Sequence, residues 1–191
     1  MEYIKKYKTP TGFSNIIMRS DGKLLTGLWF ENTKDSLKHD GEYVEKSLPI
    51  FDEVTTWLDI YFSGEEPKFT PKYKICNTTP FRKDVTDIMN KIPYGQVVTY
   101  GDIAKEIATK KGVKKMSAQA IGGAVGANPI CIIVPCHRVI GSNGKLVGYG
   151  GGIENKEKLL QLEGKNVLKL IERKMKIEIK LLYKSIMWSK F

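Results

Sequence analysis

The sequence predicts an α/β (α+β) fold, with an antiparallel sheet early in the chain and mostly helices after it. Two β-prone runs at residues 12–18 and 23–30 flank Ser20-Asp21-Gly22. Asp-Gly supplies the positive φ that a tight hairpin turn requires. Apolar residues then recur with helical spacing after Pro49 and again after Thr79. Strands are therefore expected first and helices later.

The chain has room for one large domain or two small ones, because it contains 191 residues. A loop is predicted at 63–71, and we place a boundary near residues 69–79, between a first unit, residues 1–75, and a second, residues 76–164. Residues 165–191 form an extension with 8 basic and 2 acidic side chains. Its apolar residues mix the spacings of strand and helix, so we expect a packed helix. An arm that presents its basic residues to a polyanion and a poorly ordered tail are the alternatives.

Two amphipathic helices are predicted on either side of the loop. From Pro49 to residue 62 the apolar positions follow helical spacing, and the core face consists of Phe51, Val54, Trp57, Leu58 and Tyr61. The second helix begins at Thr79-Pro80, since threonine suits the N-cap and proline the first helical position. It ends at residues 92–95, where proline and glycine occur.

The next segment has the pattern of a helix-turn-helix. A short β-prone run at 96–100 leads into a helix at 101–109. A lysine-rich turn at 110–115 follows, and Ser117 caps another helix at 118–125. That helix contains mainly alanine, glycine and isoleucine. Its small residues suit close packing against a neighbouring helix or close approach to a partner, and the pattern leaves both open.

A cysteine and a histidine follow the most apolar run of the second half. The run at 130–134 ends at Pro135, and Cys136 and His137 come next. Its branched residues predict a β-strand, and a strand end is where a rigid scaffold presents reactive groups. A thiol becomes a good nucleophile when an adjacent base or cation converts it to a thiolate. Neighbouring side chains on an extended chain diverge, however, so a structural cysteine fits these residues as well.

The chain after this point returns to turns and one more helix. A hairpin is predicted at 139–147 with Asn-Gly at its tip, and a glycine-rich run at 148–152 follows it. The run lacks the Lys-Ser/Thr pair of a phosphate-binding loop, but it lets the backbone approach a flat ligand closely. A last helix at 153–163 ends at Gly164.

Charge is distributed unevenly along the chain. Residues 1–100 carry 14 basic and 14 acidic side chains, whereas residues 101–191 carry 17 and 7, which accounts for the whole net charge of +10. A basic half beside a neutral half suggests contact with a polyanion such as nucleic acid. A solvated lysine-rich face is the alternative.

The cysteines and histidines argue against several classes of protein. Cys76, Cys131 and Cys136 form no CxxC pair and leave one cysteine over, which argues against a disulfide scaffold and for a reducing, cytoplasmic location. Only His39 and His137 occur, so no zinc spacing is present and no metal is expected. The chain contains no apolar run of about 18 residues, and membrane spanning is not expected.

Four groups of residues, taken in order, resemble one known family. They are Asn128-Pro129, the Pro-Cys-His-Arg-Val segment at 135–139, the glycine-rich run at 148–152, and Leu162-Glu163-Gly164. The chain resembles the O6-alkylguanine-DNA alkyltransferases, also called methylated-DNA–protein-cysteine methyltransferases. The resemblance extends from about Tyr7 to Gly164 and does not include the extension.

The resemblance implies a DNA-repair protein that moves the alkyl group of O6-alkylguanine, and also of O4-alkylthymine, onto its own cysteine. Each chain reacts once, because the thioether cannot be hydrolysed, and no cofactor is needed. The implied fold is a small N-terminal α/β domain supporting a mostly helical domain, whose short sheet carries the 135–139 segment. The implied partner is double-stranded DNA, bound by a monomer in the minor groove. The damaged base must flip out, since a thiol cannot reach O6 inside the stack.

The resemblance also implies roles for the candidate catalytic residues. Cys136 is the nucleophile, His137 its base through a water, and Glu163 orients and stabilises the histidine. Asn128 braces the active-site segment through its amide. Tyr100 helps to turn the phosphate of the flipped nucleotide and donates a hydrogen bond to the base, whose oxygen becomes anionic as the alkyl group leaves.

The helix that follows Ser117 is implied to enter the minor groove without reading base sequence. The residues implied to contact DNA or the base are Ser117, Gln119, Ala120, Gly123, Pro135, Arg138, Val139, Gly148, Tyr149 and Gly150. Gln119 stands where the family commonly has an arginine that fills the gap left by the base. We expect Gln119 to intercalate but to retain the extrahelical base more weakly than arginine would. Three alternatives stay open: a lesion-recognition protein without transfer activity, a helix-turn-helix regulator, and a thiol hydrolase.

Overall fold

The structure, a computed structural model, describes residues 1–36 and 41–164. The helix predicted in the extension lies outside the described residues. The described part of the chain contains, in order, β1 (Tyr3–Tyr7), β2 (Ile16–Ser20), β3 (Leu25–Phe30), β4 (Val44–Glu45), α1 (Pro49–Phe62), α2 (Pro80–Met89), β5 (Val98–Thr99), α3 (Tyr100–Lys110), α4 (Ala118–Gly126), β6 (Val139–Ile140) and α5 (Ile153–Glu163). The mixed α/β architecture predicted from the sequence is confirmed.

The larger sheet has the strand order β3-β2-β1-β4. The predicted hairpin joins β2 to β3, and the Asp21 carboxylate accepts hydrogen bonds from the amides of Lys23 and Leu24 in its turn. Gly22 adopts a φ of 103°, which suits glycine. Strand β1 has no counterpart in the predictions, because two adjacent lysines interrupt its apolar alternation.

The helices begin and end close to the predicted residues because their local signals are strong. Helix α1 buries the predicted apolar face. The side chain of Thr79 caps α2, Thr99 and Asp102 form a capping box on α3, and Ser117 caps α4. Helices α3 and α4 pack on each other as the predicted helix-turn-helix pair.

The strand predicted at 130–134 is wrong. Ile130 makes a single bridge to Leu28, and the chain then turns at residues 131–133, where Ile132 has a φ of 67°. The reason is the amide side chain of Asn128, which bonds the backbone of Ile130 and Val134 in place of a neighbouring strand. A short 3-10 turn, Cys136–Arg138, follows Pro135.

The hairpin predicted at 139–147 is also wrong. Strand β6 pairs in parallel with β5, and Ser142–Gly144 forms a 3-10 turn. The amide of Gly141 donates to the carbonyl of Lys145 at 2.8 Å and closes a tight loop. The two arms of the predicted hairpin do not pair with each other, because the ammonium of the buried Lys156 binds the carbonyls of Val139 and Val147 instead.

One apolar core joins the two halves of the described chain. It extends from Tyr7 to Leu159, and strand β3 bonds directly to the segment after α4, since the Leu28 amide donates to Pro129 O at 2.8 Å. The division into residues 1–75 and 76–164 therefore stays a prediction. No helix among the described residues is both long enough and apolar enough to span a bilayer.

Candidate active site

The last residue of α5, Glu163, lies at the centre of a buried polar network. Its carboxylate lies 2.6 Å from His137 Nε2, and both side chains are fully buried. Arg138 donates to both carboxylate oxygens, from Nε at 2.8 Å and Nη2 at 2.9 Å. Burial alone would raise the pKa of Glu163, but the hydrogen bonds from His137 and Arg138 and the positive charge of Arg138 outweigh it and hold that pKa well below its usual range.

Two further donors reach the same carboxylate. The hydroxyl of Tyr61, on α1, donates to Glu163 Oε1 at 2.7 Å, and the amide of Gly95 donates to Oε2 at 3.2 Å. Sequence patterns placed Tyr61 only in the core face of α1. A buried tyrosine hydroxyl nevertheless requires a polar partner, and that requirement was the available signal for a role in the site.

His137 is held as a neutral base. Because the Glu163 carboxylate accepts only, we assign the His137 proton to Nε2, which leaves the lone pair on Nδ1. Nδ1 is buried and has no hydrogen-bond partner among the described residues. Burial lowers the pKa of His137, so the ring is uncharged at neutral pH and its one basic atom is available.

Cys136 carries a protonated thiol in this environment. Its residue is 7% exposed, and burial raises its pKa to about 11, although the hydrogen bond from Asn128 acts in the opposite direction. Asn128 Nδ2 lies 3.1 Å from Sγ and 3.1 Å from each of the carbonyls of Ile130 and Val134. A thiol of this kind needs a base before it can act as a nucleophile.

A cavity of about 690 Å³ opens between the start of α3, the exposed face of α4 and the glycine loop. Tyr100 lines it, and its hydroxyl lies 3.3 Å from the carbonyls of both Val147 and Gly148. Burial raises the pKa of Tyr100, which keeps the phenol protonated as a hydrogen-bond donor. Tyr149 and Gly150 complete the same wall. The opening is large enough for a purine base.

The structure separates the predicted DNA-contacting residues into those that DNA or a base can reach and those that are buried or bonded within the protein. Those on α4 and its cap, Ser117, Gln119, Ala120 and Gly123, are exposed, and the glycine loop lines the cavity. Pro135 and Val139 are buried and do not line it. Arg138 bonds Glu163 and the carbonyl of Ile92 instead of facing outwards, because the 3-10 turn directs its side chain towards α5.

The lysines of the turn between α3 and α4 also separate into a pair bonded within the protein and a pair at an open surface. Lys110 and Lys111 both pair with Asp84 of α2, at 2.6 and 3.3 Å, so they hold the helices together. Lys114 and Lys115 line an open cavity of about 890 Å³ beside the start of α4. Within the described ranges, no cluster of histidine, cysteine and acidic residues could hold a metal.

The chain is similar to known proteins over most of its length. Residues 80–165 match the family model of the 6-O-methylguanine DNA methyltransferase DNA-binding domain. Two methylated-DNA–protein-cysteine methyltransferases are 37% identical over 84% of this chain and 86% of the Haemophilus influenzae protein, and 40% identical over 85% of this chain and 98% of the Methanosarcina acetivorans protein.

Solved structures agree with these similarities. The crystal structure of the Mycobacterium tuberculosis O6-methylguanine methyltransferase covers 86% of this chain and 94% of its own, with 36% identity and a TM-score of 0.71. The same organism's protein in complex with DNA covers 86% of this chain and 92% of its own, with 34% identity and a TM-score of 0.70. On these matches, the chain belongs to the family of methylated-DNA–protein-cysteine methyltransferases.

Proposed function

We propose that this alkyltransferase repairs O6-alkylguanine in DNA by moving the alkyl group onto Sγ of Cys136. O4-alkylthymine is the second substrate that we propose. The observation that carries the assignment is the buried pair of His137, with a free Nδ1, and the anionic Glu163, directly after the neutral thiol of Cys136. Tyr100, which lines the cavity of purine size, lies within electrostatic range of Cys136. None of these groups requires a cofactor.

The chemistry is a single displacement. The thiol proton of Cys136 passes through a water to Nδ1 of His137, and the thiolate attacks the alkyl carbon. A sulfur–carbon bond forms as the bond from carbon to O6 breaks, and that electron pair stays on the guanine oxygen. The phenol of Tyr100 donates a hydrogen bond to the oxygen as its charge develops. The guanine anion takes up one proton from water, the imidazolium of His137 releases the thiol proton to solvent, and the thioether remains on the protein.

The surface around the cavity supports binding of duplex DNA through the minor groove. The exposed face of α4 consists of residues with little or no side chain, apart from Gln119. A thin helix of this type can enter a narrow groove, and a protein that searches all sequences gains nothing from base-specific contacts. Gln119 lines the edge of the cavity, from which its side chain can enter the gap that the extruded base leaves in the DNA stack. We propose that one chain acts as a monomer in the cytoplasm; its free cysteines support a reducing location.

A titration tests this function. Increasing amounts of a duplex with one O6-methylguanine are added to a fixed amount of protein, and the repaired base is measured at the end point. We expect repair to stop at one lesion per chain, and a Cys136→Ser variant to repair none. Continued turnover would contradict the proposal and favour a hydrolase. Tight lesion binding without any repair would favour a recognition protein.

A further inference from the structure

The cavity beside Tyr100 is lined almost entirely by uncharged groups. Among the described residues that line it, Lys34 is the only one that carries a charge. Lys34 belongs to neither α4 nor the glycine loop; it lies in the loop that follows β3, in the N-terminal half. Sequence patterns assign no chemistry to that half of the chain.

Hydrogen bonds fix the loop that carries Lys34. The hydroxyl of Thr33 donates to the carbonyl of the last residue of β3 at 2.8 Å, and the hydroxyl of Ser36 donates to Thr33 O at 2.6 Å. The amide of Asp35 crosses to the cavity wall and donates to the carbonyl of Gly150 at 3.2 Å. The residue that follows Lys34 is therefore bonded directly to the glycine loop.

Packing reinforces this attachment. Asp35 is 6% exposed, and its carboxylate occupies the space that a Cβ on residue 150 would need. Gly150 is thus required for the approach of the two loops. The N-terminal loop and the wall of the cavity form one packed unit, and Lys34 lines the cavity from this loop.

We propose that Lys34 binds the DNA phosphodiester next to the extruded nucleotide, so that the N-terminal half takes part in substrate binding. The inference rests on the proposed function. An extruded nucleotide brings an uncharged base into the cavity and an anionic phosphate to its rim, and lysine binds phosphate as a point charge on a flexible stem. Gln119 supplies no charge, and Arg138 is engaged with Glu163. Lys34 is the cation that the cavity offers.

The free base of an O6-alkylguanine provides the test, because it reaches Cys136 without any phosphate. The rate of alkyl transfer is measured for the Lys34→Ala chain with an O6-methylguanine duplex below saturation and, separately, with free O6-benzylguanine. We expect the rate with the duplex to fall about fivefold, as for one exposed charge contact. The slope of log rate against log salt concentration should fall by about 0.9. The rate with the free base should not change.

Two variants serve as controls. Lys34→Arg keeps the charge and should retain most of the rate with the duplex. Lys68→Ala removes a lysine that pairs with Glu66 and does not line the cavity, and it should leave both rates unchanged. An unchanged rate of Lys34→Ala with the duplex would overturn the inference, and so would equal losses with both substrates. Failure of the wild-type chain to transfer its alkyl group to Cys136 would overturn the proposed function instead.

Discussion

Four residues donate hydrogen bonds to the carboxylate of Glu163, and they come from different parts of the chain. They are Tyr61 on α1, Gly95 after α2, and His137 and Arg138 in the 3-10 turn. A carboxylate with this many donors stays anionic and has a fixed orientation. Fixing the carboxylate also fixes the tautomer of His137, and that tautomer leaves Nδ1 free to act as a base.

Removing the hydroxyl of Tyr61 tests whether the base function of His137 depends on the donors that hold Glu163. We expect Tyr61→Phe to lower the rate of alkyl transfer about tenfold, since a hydrogen bond to a charged group contributes about 1.5 kcal/mol or more. The matched control is Tyr7→Phe, which removes a bond of 2.8 Å to Asp59, also on α1 but outside the network. Stopped-flow measurement with the free base would report both rates. Equal effects of the two variants would contradict a specific role for Tyr61.

The pH dependence of transfer tests whether His137 takes the thiol proton. The reactive state contains a protonated Cys136, whose pKa is raised to about 11 by burial, and a neutral His137, whose pKa is lowered by burial. The rate should therefore rise through the pKa of His137, below its ordinary value, and then stay level up to pH of about 11.

The His137→Gln chain should behave differently in the same measurement. Without the imidazole, only the fraction of free thiolate reacts, so the rate should be low at neutral pH and rise about tenfold per pH unit towards the pKa of Cys136. Identical profiles for the two chains would exclude the histidine as base.

At the scale of elements, α4 joins the DNA surface to the cavity. Its N-cap and its small residues are local signals, and both were predictable from the sequence. Gln119 projects from its exposed face at the edge of the cavity. A glutamine in this place can hydrogen-bond the partner of the extruded base, but it adds no positive charge and less stacking area than arginine would.

We expect Gln119→Arg to tighten binding of a lesion-containing duplex. The added guanidinium would stack in the gap and attract the phosphates, and one exposed charge contact corresponds to roughly a fivefold change in Kd. Fluorescence anisotropy at fixed salt measures it, and Gln96→Arg, a residue outside α4, is the matched control. An unchanged or weaker affinity would contradict the intercalating role of Gln119.

The segment 130–135 shows where sequence prediction fails, and why. Its isoleucines and valine have high β-propensity, yet the amide of Asn128 supplies hydrogen bonds that a partner strand would otherwise make. Caps and amphipathic spacing act over a few residues, so the helices were predictable. The contact of Tyr61 with Glu163 spans 102 positions, and no local pattern contains it.

At the scale of the molecule, the N-terminal half contributes to the site as well as to the core. The cluster that extends from Tyr7 to Leu159 continues across the predicted boundary, and β3 bonds the segment that leads to Cys136. From the same half, Tyr61 donates a hydrogen bond to Glu163, and Lys34 lines the cavity as a cation. Family motifs located the reactive residues, but they did not indicate these contributions.

A shared core predicts that the chain unfolds in one step. In a Trp188→Phe chain the remaining tryptophans, Trp29 and Trp57, both lie in residues 1–75, whereas four of the five described α-helices lie in residues 76–164. Urea denaturation of this chain followed by tryptophan fluorescence should therefore coincide with the loss of helix followed by circular dichroism. A second transition for the helices alone would contradict this and would support independent domains 1–75 and 76–164.

The central claim is that the thiol of Cys136 is the atom that receives the alkyl group. The most direct measurement is peptide mass spectrometry of the chain after incubation with an O6-methylguanine duplex. We predict that the peptide with Cys136 gains one methyl group in place of hydrogen, that the peptides with Cys76 and Cys131 stay unmodified, and that Cys136→Ser gains nothing. A methyl group on another residue, or none on the wild-type chain after the lesion has disappeared, would contradict the account.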